Sequence, residues 1–229
     1  MKEELRNIYY RFLRRKKSND VYALTALQTL LDTPSIIPIS TSAIRPHSLY
    51  FMINDILINQ RKNLIEFGAG VSTVVIARLI KRNNLTDTHL YSVEHDAQWI
   101  ALLKTSLALE GLTDYVTFIH SELQTSDEYL PNLTWYNTTT IKTIIEQQEN
   151  FDFVFIDGPI ADGKMKRYPA LPFMQKHLNS SYAVFLDDAN RGAEKKILKK
   201  WRSECNVTYK YANYSFAYIL TGTSYNIIS

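Results

Sequence analysis

Carboxylates recur at one kind of position in this chain, next to the ends of short apolar runs. They are Glu66 in "NLIEF", Glu94 after "LYSV", Asp157 in "FVFID", and Asp187 and Asp188 in "AVFLDD". Such runs are typical of buried strands, and the carboxyl ends of parallel strands in an open α/β sheet form a ligand-binding crevice. We therefore expect the carboxylates along one rim of a sheet, where they could attract a cation, accept hydrogen bonds or move a proton.

A glycine-rich segment, "GAGVST", follows Glu66. Gly68 and Gly70 have no Cβ, so the backbone can turn sharply there and approach a ligand closely. Ser72 and Thr73 are then expected to begin a helix whose free N–H groups face the crevice. This arrangement predicts a nucleotide-like ligand at the turn.

Two types of cofactor suit such a turn. A dinucleotide usually needs G-x-G-x-x-G, and here Thr73 takes the third glycine position. Glu66 would also repel a pyrophosphate. S-adenosylmethionine has a cationic amine that Glu66 would attract, and its ribose hydroxyls need an acceptor, which Glu94 could supply. The residues favour S-adenosylmethionine, and a nicotinamide-dependent oxidoreductase is the alternative.

The elements that position these residues alternate along the chain. Strands are predicted at residues 63–67, 89–93, 116–120, 153–157 and 183–187. Helices are predicted at about residues 46–59, 72–82, 97–110, 139–147, 168–178 and 192–203. This alternation indicates βαβ units, and therefore an α/β fold with a doubly wound, mostly parallel sheet. The runs at 206–212 and 216–222 have no helix between them, which predicts a hairpin and an antiparallel edge.

Composition limits the class of protein. Of 229 residues, 45% are hydrophobic, and the single cysteine excludes an intrachain disulfide and thiolate metal clusters. No run approaches the ~20 apolar residues of a membrane span, and the N-terminus lacks an apolar signal core, so we expect a cytoplasmic protein.

The N-terminal segment is the basic part of the chain. Residues 1–20 hold seven basic and three acidic residues, a net charge of +4, within a total of +3. The block "RFLRRKK" could contact nucleic acid or anionic lipid. A solvated helix end is favoured, because no second basic patch supports a nucleic-acid partner. Residues 4–31 are predicted to be helical and could serve as the arm of a homodimer.

The stretches "IEFGAGVST", "LYSVEHD", "FDFVFIDGP" and "AVFLDDANR" resemble class I S-adenosylmethionine-dependent methyltransferases, over roughly residues 40–220. The resemblance is nearest to the small-molecule O-methyltransferases related to catechol O-methyltransferase. It implies a Rossmann-like, seven-stranded sheet with an antiparallel last strand. It also implies a methyltransferase domain at 41–229 behind a helical extension at 1–40, and methylation of a hydroxyl on a small molecule or sugar.

The same resemblance implies a set of cofactor contacts: Glu66, Gly68, Ala69, Gly70, Ser72, Glu94, His95, Ser121, Glu122, Thr41 and Ser42. Glu66 and the glycine turn would hold the methionine part, Glu94 the ribose, and the segment after the third strand would lie beside adenine. Residues 40–54 resemble a segment that closes over the cofactor, which places Thr41 and Ser42 at its carboxylate. A helix cap is the alternative for these two residues.

Methyl transfer to a hydroxyl needs alignment of donor and acceptor, and a base or a metal ion to remove the proton. Asp157 and Asp188 are the expected catalytic residues, because their strands flank the switch point of the sheet. The related O-methyltransferases bind a divalent ion there through an aspartate after the fourth strand and an Asp-Asn pair after the fifth. Asp157 and Asp188 match two of these ligands, but Ala189 replaces the asparagine. Two mechanisms are therefore possible. In one, Asp157 and Asp188 bind a magnesium ion; in the other, one of these aspartates acts as a base without a metal. Asp187 is expected to cap the segment that follows.

Three further residues are expected at the acceptor. Arg167 follows Asp157 in a loop, and its fork could bind a carboxylate or phosphate of an anionic acceptor, or pair with a nearby acid instead. His47 could act as a base or simply pack. Trp135 lies in the insertion at 123–140, which we expect to form a substrate lid. A cofactor-binding scaffold without chemistry is a further alternative.

Overall fold

A computed structural model describes residues 19–32, 37, 42–160 and 162–225. Its helices are α1 (described over residues 19–31), α2 (Pro46–Ile58), α3 (Val71–Arg82), α4 (Ala97–Leu109), α5 (Thr138–Ile145), α6 (Ala170–Met174) and α7 (Gly192–Glu204). Its strands are β1 (Asn63–Phe67), β2 (His89–Glu94), β3 (Val116–His120), β4 (Leu123–Ser126), β5 (Leu133–Tyr136), β6 (Phe151–Ile156), β7 (Leu178–Leu186), β8 (Lys210–Asn213) and β9 (Phe216–Leu220). Within these residues, every helix is too short or too polar to cross a membrane.

Seven strands form one sheet in the order β3-β2-β1-β6-β7-β9-β8. The pairs from β3 to β7 are parallel, and β9 is antiparallel to both β7 and β8. The predicted mostly parallel, seven-stranded sheet with an antiparallel last strand is confirmed. Strand order reverses between β1 and β6, so the switch point lies there, where a ligand crevice is expected. The strand before Asp157 flanks it as predicted, whereas β7, the strand before Asp188, is one strand further away.

The strand β6 shows how the sequence builds two cores. Phe153 and Phe155 point to the face covered by α2, α3 and α4, whereas Val154 and Ile156 point to the face covered by α5, α6 and α7. Successive side chains of a strand alternate between faces, so a strand buried on both sides must be apolar throughout. The helices therefore form a layer on each face, and the carboxyl ends of the strands stay uncovered.

Register brings the strand ends to one level. Phe67 at the end of β1 pairs with Val93 of β2 and Ile156 of β6. Glu94 and Asp157 follow these partners directly, so both emerge at the same rim as the glycine turn, as the sequence predicts.

The described part of α1 packs against the sheet's helical layer. Leu27 and Leu30 are buried in the core with α2 and α3, and Arg78 donates a hydrogen bond of 2.9 Å to the Leu30 carbonyl. The remainder of the predicted helix at 4–31 lies outside the described residues.

The segment at 123–140, predicted to be a long loop, is instead an antiparallel hairpin of β4 and β5 that runs into α5, whose first turn is capped by the side chain of Asn137. Its role as a substrate lid stays a prediction. Two side chains of β5, Trp135 and Tyr136, are buried and anchor the hairpin to the core. The predicted helix at 168–178 is also shorter. It is α6 followed by a 3-10 turn at Gln175–His177, with Pro169 and Pro172 limiting the backbone donors.

Candidate active site

A cavity of about 740 Å³ opens at the carboxyl rim of the sheet, beside the switch point. Its size is within the range of small-molecule sites. The lining residues come from the strand ends, the first turns of α3, α4 and α7, the segment before α2 and the loop after β6. They are Ser42, Ala43, Ile44, Gly68, Ala69, Gly70, Val71, Ser72, Glu94, His95, Asp96, Trp99, Tyr136, Asp157, Gly158, Pro159, Ile160, Gly163, Arg167, Asp188, Arg191, Gly192, Ala193, Glu194 and Lys196.

The glycine turn is built by close contact between the ends of β1 and β6. The Phe67 carbonyl accepts hydrogen bonds from the backbone N–H groups of Asp157 (2.9 Å) and Gly158 (2.5 Å). Gly68 has φ +99°, and a Cβ placed there would lie 2.7 Å from the Gly158 nitrogen. A Cβ placed on Gly70 would meet nothing within 4 Å, so that side of the residue faces free space. Gly68 therefore serves the fold, and Gly70 leaves room for a ligand.

Glu66 lies behind this turn and not in the cavity. It is fully buried and accepts hydrogen bonds from Ser72 and Ser92 (both 2.7 Å) and from the Thr73 hydroxyl. Burial raises the pKa of Glu66 to about 7, against the opposing effect of these three hydroxyls. The expectation that Glu66 touches the ligand is corrected: its carboxylate is used to hold the start of α3 against β2.

Glu94 reaches the cavity as predicted. Its Oε1 accepts from the backbone N–H groups of His95 (2.7 Å) and Asp96 (2.9 Å), and its Oε2 accepts from Ala69 (3.1 Å). Trp99 Nε1 donates to the Ala69 carbonyl at 2.8 Å. Ala69 is thus fixed from both sides, and Glu94 Oε2, with one donor, keeps capacity for another.

The aspartates after β6 and β7 surround one arginine. Arg167 Nη2 lies 2.9 Å from Asp157 Oδ1, and its Nη1 lies 3.3 Å from Asp188 Oδ2 and 3.1 Å from the Asp187 carbonyl. Arg191 Nη1 approaches Asp188 Oδ2 from the other side at 2.7 Å. The side chain of Arg167 is only 4% exposed. Of the two interpretations of Arg167, pairing with a nearby acid is the one observed.

Asp187 and Asp188 are adjacent but serve different purposes. Asp188 has φ +55°, a left-handed backbone that aspartate tolerates better than most residues. Its side chain lines the cavity, whereas Asp187 Oδ1 turns back to accept the Asp188 N–H at 2.8 Å. Burial raises the pKa of Asp187, and the nearby Asp157 carboxylate raises it further. Asp187 therefore stabilises the turn, and Asp188 is the member of the pair that faces the cavity.

Four side chains at the cavity have buried polar atoms with no hydrogen-bond partner among the described residues. These atoms are the hydroxyl of Tyr136, Nε of Arg167, both carboxylate oxygens of Glu194, and Nδ1 of His95, which lies 2.7 Å from Glu94 Oε1 without forming a hydrogen bond. Glu194 is fully buried in the first turn of α7, and burial raises its pKa. Unpaired buried polar groups are rare in folded proteins, so this cluster is typical of a site that a ligand or water completes.

Besides Glu66, four predicted site residues do not line the cavity. Ser121 is buried and donates to the Asn137 carbonyl at 3.1 Å, and Glu122 is exposed outside the cavity. The ring of His47 packs against Phe51 on α2 in a tilted arrangement, and burial lowers the pKa of His47. Trp135 is buried in the core, so its assignment to a substrate contact is wrong.

The physical reason for the Trp135 error is the hairpin. Trp135 packs between the rings of Phe67, Tyr129 and Phe173, and its neighbour Tyr136 is the residue that lines the cavity. Of the predicted pair before α2, Ser42 lines the cavity and Thr41 lies outside the described residues.

Sequence reasoning missed Trp99, Tyr136, Arg191 and Glu194 as cavity residues. Trp99 and Glu194 each lie in the first turn of a helix that follows a strand end, a position that could have identified them. Tyr136 and Arg191 carry no comparable signal, because they reach the cavity only through the hairpin and the loop after β7.

A family model described as "Methyltransferase domain" matches residues 65–189. Comparison with curated protein sequences finds no match.

Solved structures share the fold at low sequence identity. The S-adenosylhomocysteine-bound methyltransferase PaMTH1 of Podospora anserina has a TM-score of 0.61 and 14% identity, over 89% of this chain and 88% of that one. A putative caffeoyl-CoA O-methyltransferase from Staphylococcus aureus has a TM-score of 0.59 and 16% identity, over 95% and 100%. The O-methyltransferase from Bacillus cereus, in complex with S-adenosylhomocysteine, has a TM-score of 0.59 and 15% identity, over 90% and 91%.

Proposed function

Because the chain belongs to the methyltransferase domain family, we propose that it transfers a methyl group from S-adenosylmethionine to a hydroxyl of a small molecule or sugar. The observation that carries the proposal is the position of Glu94. Its carboxylate ends β2 at the cavity and accepts the N–H of Ala69, in the glycine turn beside the switch point of the sheet. The S-adenosylhomocysteine complexes of PaMTH1 and the Bacillus cereus enzyme support this cofactor through their common fold.

The charge of the cavity supports a cationic cofactor. Five acidic residues line it (Glu94, Asp96, Asp157, Asp188 and Glu194) and three basic ones (Arg167, Arg191 and Lys196), which gives a formal charge of −2 with His95 neutral. A sulfonium and an amine are favoured in such surroundings, whereas a pyrophosphate is repelled. This favours S-adenosylmethionine over a nicotinamide dinucleotide.

We assign the cofactor's ribose to Glu94 and its methionine part to the backbone from Gly68 to Gly70, with Ser42 near the carboxylate. Glu66 acts behind this turn, by holding Ser72 and Thr73. The open side of Gly70 lets a ligand approach the backbone closely.

We assign proton removal to Asp157. Arg167 holds its Oδ1, and its Oδ2 has no hydrogen bond to a described residue. Burial raises the pKa of Asp157 while Arg167 opposes the shift, so the carboxylate becomes a better proton acceptor than a free aspartate. The methyl group then passes in line to the hydroxyl oxygen, and the enzyme contributes alignment and exclusion of water.

The described residues do not fit a magnesium ion. Carboxylate oxygens of Asp157, Asp187 and Asp188 lie within 4.8 Å of one another, but the Arg167 guanidinium is paired with two of the three. Magnesium requires near-octahedral oxygen ligands, and a fixed cation among them opposes its entry. Asp157 is therefore assigned proton removal without a metal ion.

Calorimetry with S-adenosylmethionine and, separately, NAD tests the proposal. We expect S-adenosylmethionine to bind with one site per chain and NAD to show no binding. Binding of NAD alone would contradict the proposed function. A labelled methyl donor and a panel of hydroxyl compounds, phenolic and sugar, neutral and anionic, would then identify the acceptor class.

A further inference from the structure

The most unusual feature of the site is the arginine between its aspartates. Arg167 is buried, and its two terminal nitrogens contact carboxylates that follow different strands, Asp157 after β6 and Asp188 after β7. A guanidinium matches this geometry because its N–H groups form a planar fork.

The polypeptide around Arg167 fixes the guanidinium in place. Its Nη1 also donates to the Asp187 carbonyl at 3.1 Å. The next residue, Tyr168, is buried, and its carbonyl accepts a hydrogen bond of 2.8 Å from Trp201 in α7. Arg167 is therefore held at its backbone and at both ends of its fork, and is not a loop cation free to swing into solvent.

The residues that would complete a metal site are also absent from this place. Ala189 is buried and its N–H donates to the Ser215 carbonyl at 2.8 Å, so this position offers no side-chain ligand. Asn190, the next residue, does not line the cavity. The amide ligand that the resemblance requires is missing from the cavity, and a fixed cation lies between two of the aspartates.

We infer that the Arg167 guanidinium takes the place of the divalent ion implied by the O-methyltransferase resemblance, so that this chain excludes the ion and works without it. Exclusion of the ion is argued from the geometry alone. The claim that the reaction proceeds without a metal ion rests on the proposed function. Arg167 is then a positioning residue: it orients Asp157 and supplies a permanent positive charge beside the acceptor hydroxyl.

Electron paramagnetic resonance of Mn²⁺ with the full chain tests the exclusion without using activity. We expect the wild-type protein to leave Mn²⁺ free at concentrations up to about 1 mM. Arg167→Met removes the cation and keeps an apolar stem, so it should bind Mn²⁺ at least about tenfold more tightly than wild type. The matched control Lys62→Met removes an exposed cation that pairs with Asp87 outside the cavity, and should behave as wild type.

A second substitution shows where the ion binds. Adding Asp157→Asn to Arg167→Met should abolish the gain in Mn²⁺ affinity. Wild-type protein that binds one Mn²⁺ per chain, and loses it in Asp157→Asn, would overturn the inference. If Arg167→Met does not fold, the Mn²⁺ titration of the wild-type protein alone tests the inference. Free Mn²⁺ is the expected result, and one bound Mn²⁺ per chain would contradict it.

The metal-free reaction is tested separately. Transfer from labelled S-adenosylmethionine by wild type should keep its rate in EDTA, and a rate restored only by added Mg²⁺ or Mn²⁺ would overturn the claim that the reaction proceeds without a metal ion. Calorimetry with S-adenosylhomocysteine distinguishes the two failures: absence of binding refutes the proposed function, while the Mn²⁺ result still tests the exclusion of the ion.

Discussion

Gly68 and Gly158 lie backbone against backbone where β1 and β6 end. A Cβ on Gly68 would come within 2.7 Å of the Gly158 nitrogen, and a Cβ on Gly158 would come within 2.3 Å of the Tyr136 hydroxyl. The contact explains why glycines stand at both strand ends of the switch point. Because Asp157 directly precedes Gly158, the same contact places Asp157 beside the glycine turn at the cavity.

Gly68→Ala should therefore lower the free energy of unfolding by about 2–4 kcal/mol, because the left-handed φ and the backbone clash both oppose a side chain. Urea denaturation measures the loss. Gly192→Ala is the matched control. The added Cβ would meet nothing within 4 Å, so the free energy of unfolding should change by less than about 1 kcal/mol. Equal effects of the two substitutions would contradict the proposed packing role.

Glu94→Ala should weaken S-adenosylmethionine binding by about 1.5–3 kcal/mol, the range for hydrogen bonds to a charged group. Calorimetry gives the difference directly. Glu122→Ala, an exposed glutamate outside the cavity, should leave the affinity unchanged. Thermal unfolding must accompany the measurement, since Glu94 also accepts three backbone N–H groups. Unaltered affinity in a folded Glu94→Ala protein would refute the ribose assignment.

Glu66 should make stability depend on pH. Its pKa is about 7 in the folded protein against an ordinary value of 4.5, so the folded state binds this proton more tightly than the unfolded chain. The resulting stabilisation is complete below about pH 4.5 and is lost as pH rises towards about 7, with a limit of roughly 3 kcal/mol. Urea unfolding of wild type and Glu66→Gln at pH 5 and pH 8 should show a steeper loss in wild type. An equal change in the free energy of unfolding between pH 5 and pH 8 in both proteins would exclude Glu66 as the source of the pH dependence.

Asp157→Asn should lower the rate of methyl transfer by about 10²–10⁴-fold, the usual contribution of a general base, while S-adenosylhomocysteine still binds. Single-turnover assays with a labelled methyl donor and calorimetry separate the two effects. Asp162→Asn is the control, because this aspartate is exposed and pairs with Lys166 outside the cluster. Full activity in Asp157→Asn would exclude Asp157 as the base.

Cofactor binding by the wild-type protein without methyl transfer to any acceptor would favour the alternative of a cofactor-binding scaffold without chemistry.

The sequence alone predicted the mostly parallel sheet and the position of acidic residues at the carboxyl ends of its strands. Apolar runs of strand length, alternating with helical segments, leave few arrangements of a parallel sheet, and register then places Glu94 and Asp157 at one rim. The antiparallel last strand followed from the absence of a helix between two late runs. These features depend on local pattern and strand geometry, which a sequence displays directly.

Only the tertiary structure decided which acidic side chains face the cavity. Glu66 lies one residue before the end of β1 and opposite Ser92, so hydroxyls from α3 and β2 enclose it, whereas Glu94 ends its strand and reaches the cavity. The sequence showed Arg167 only as a cation in a loop. Its pairing with Asp157 and Asp188 depends on how residues 10 and 21 positions away fold back. Such contacts join distant parts of the chain, and no local pattern encodes them.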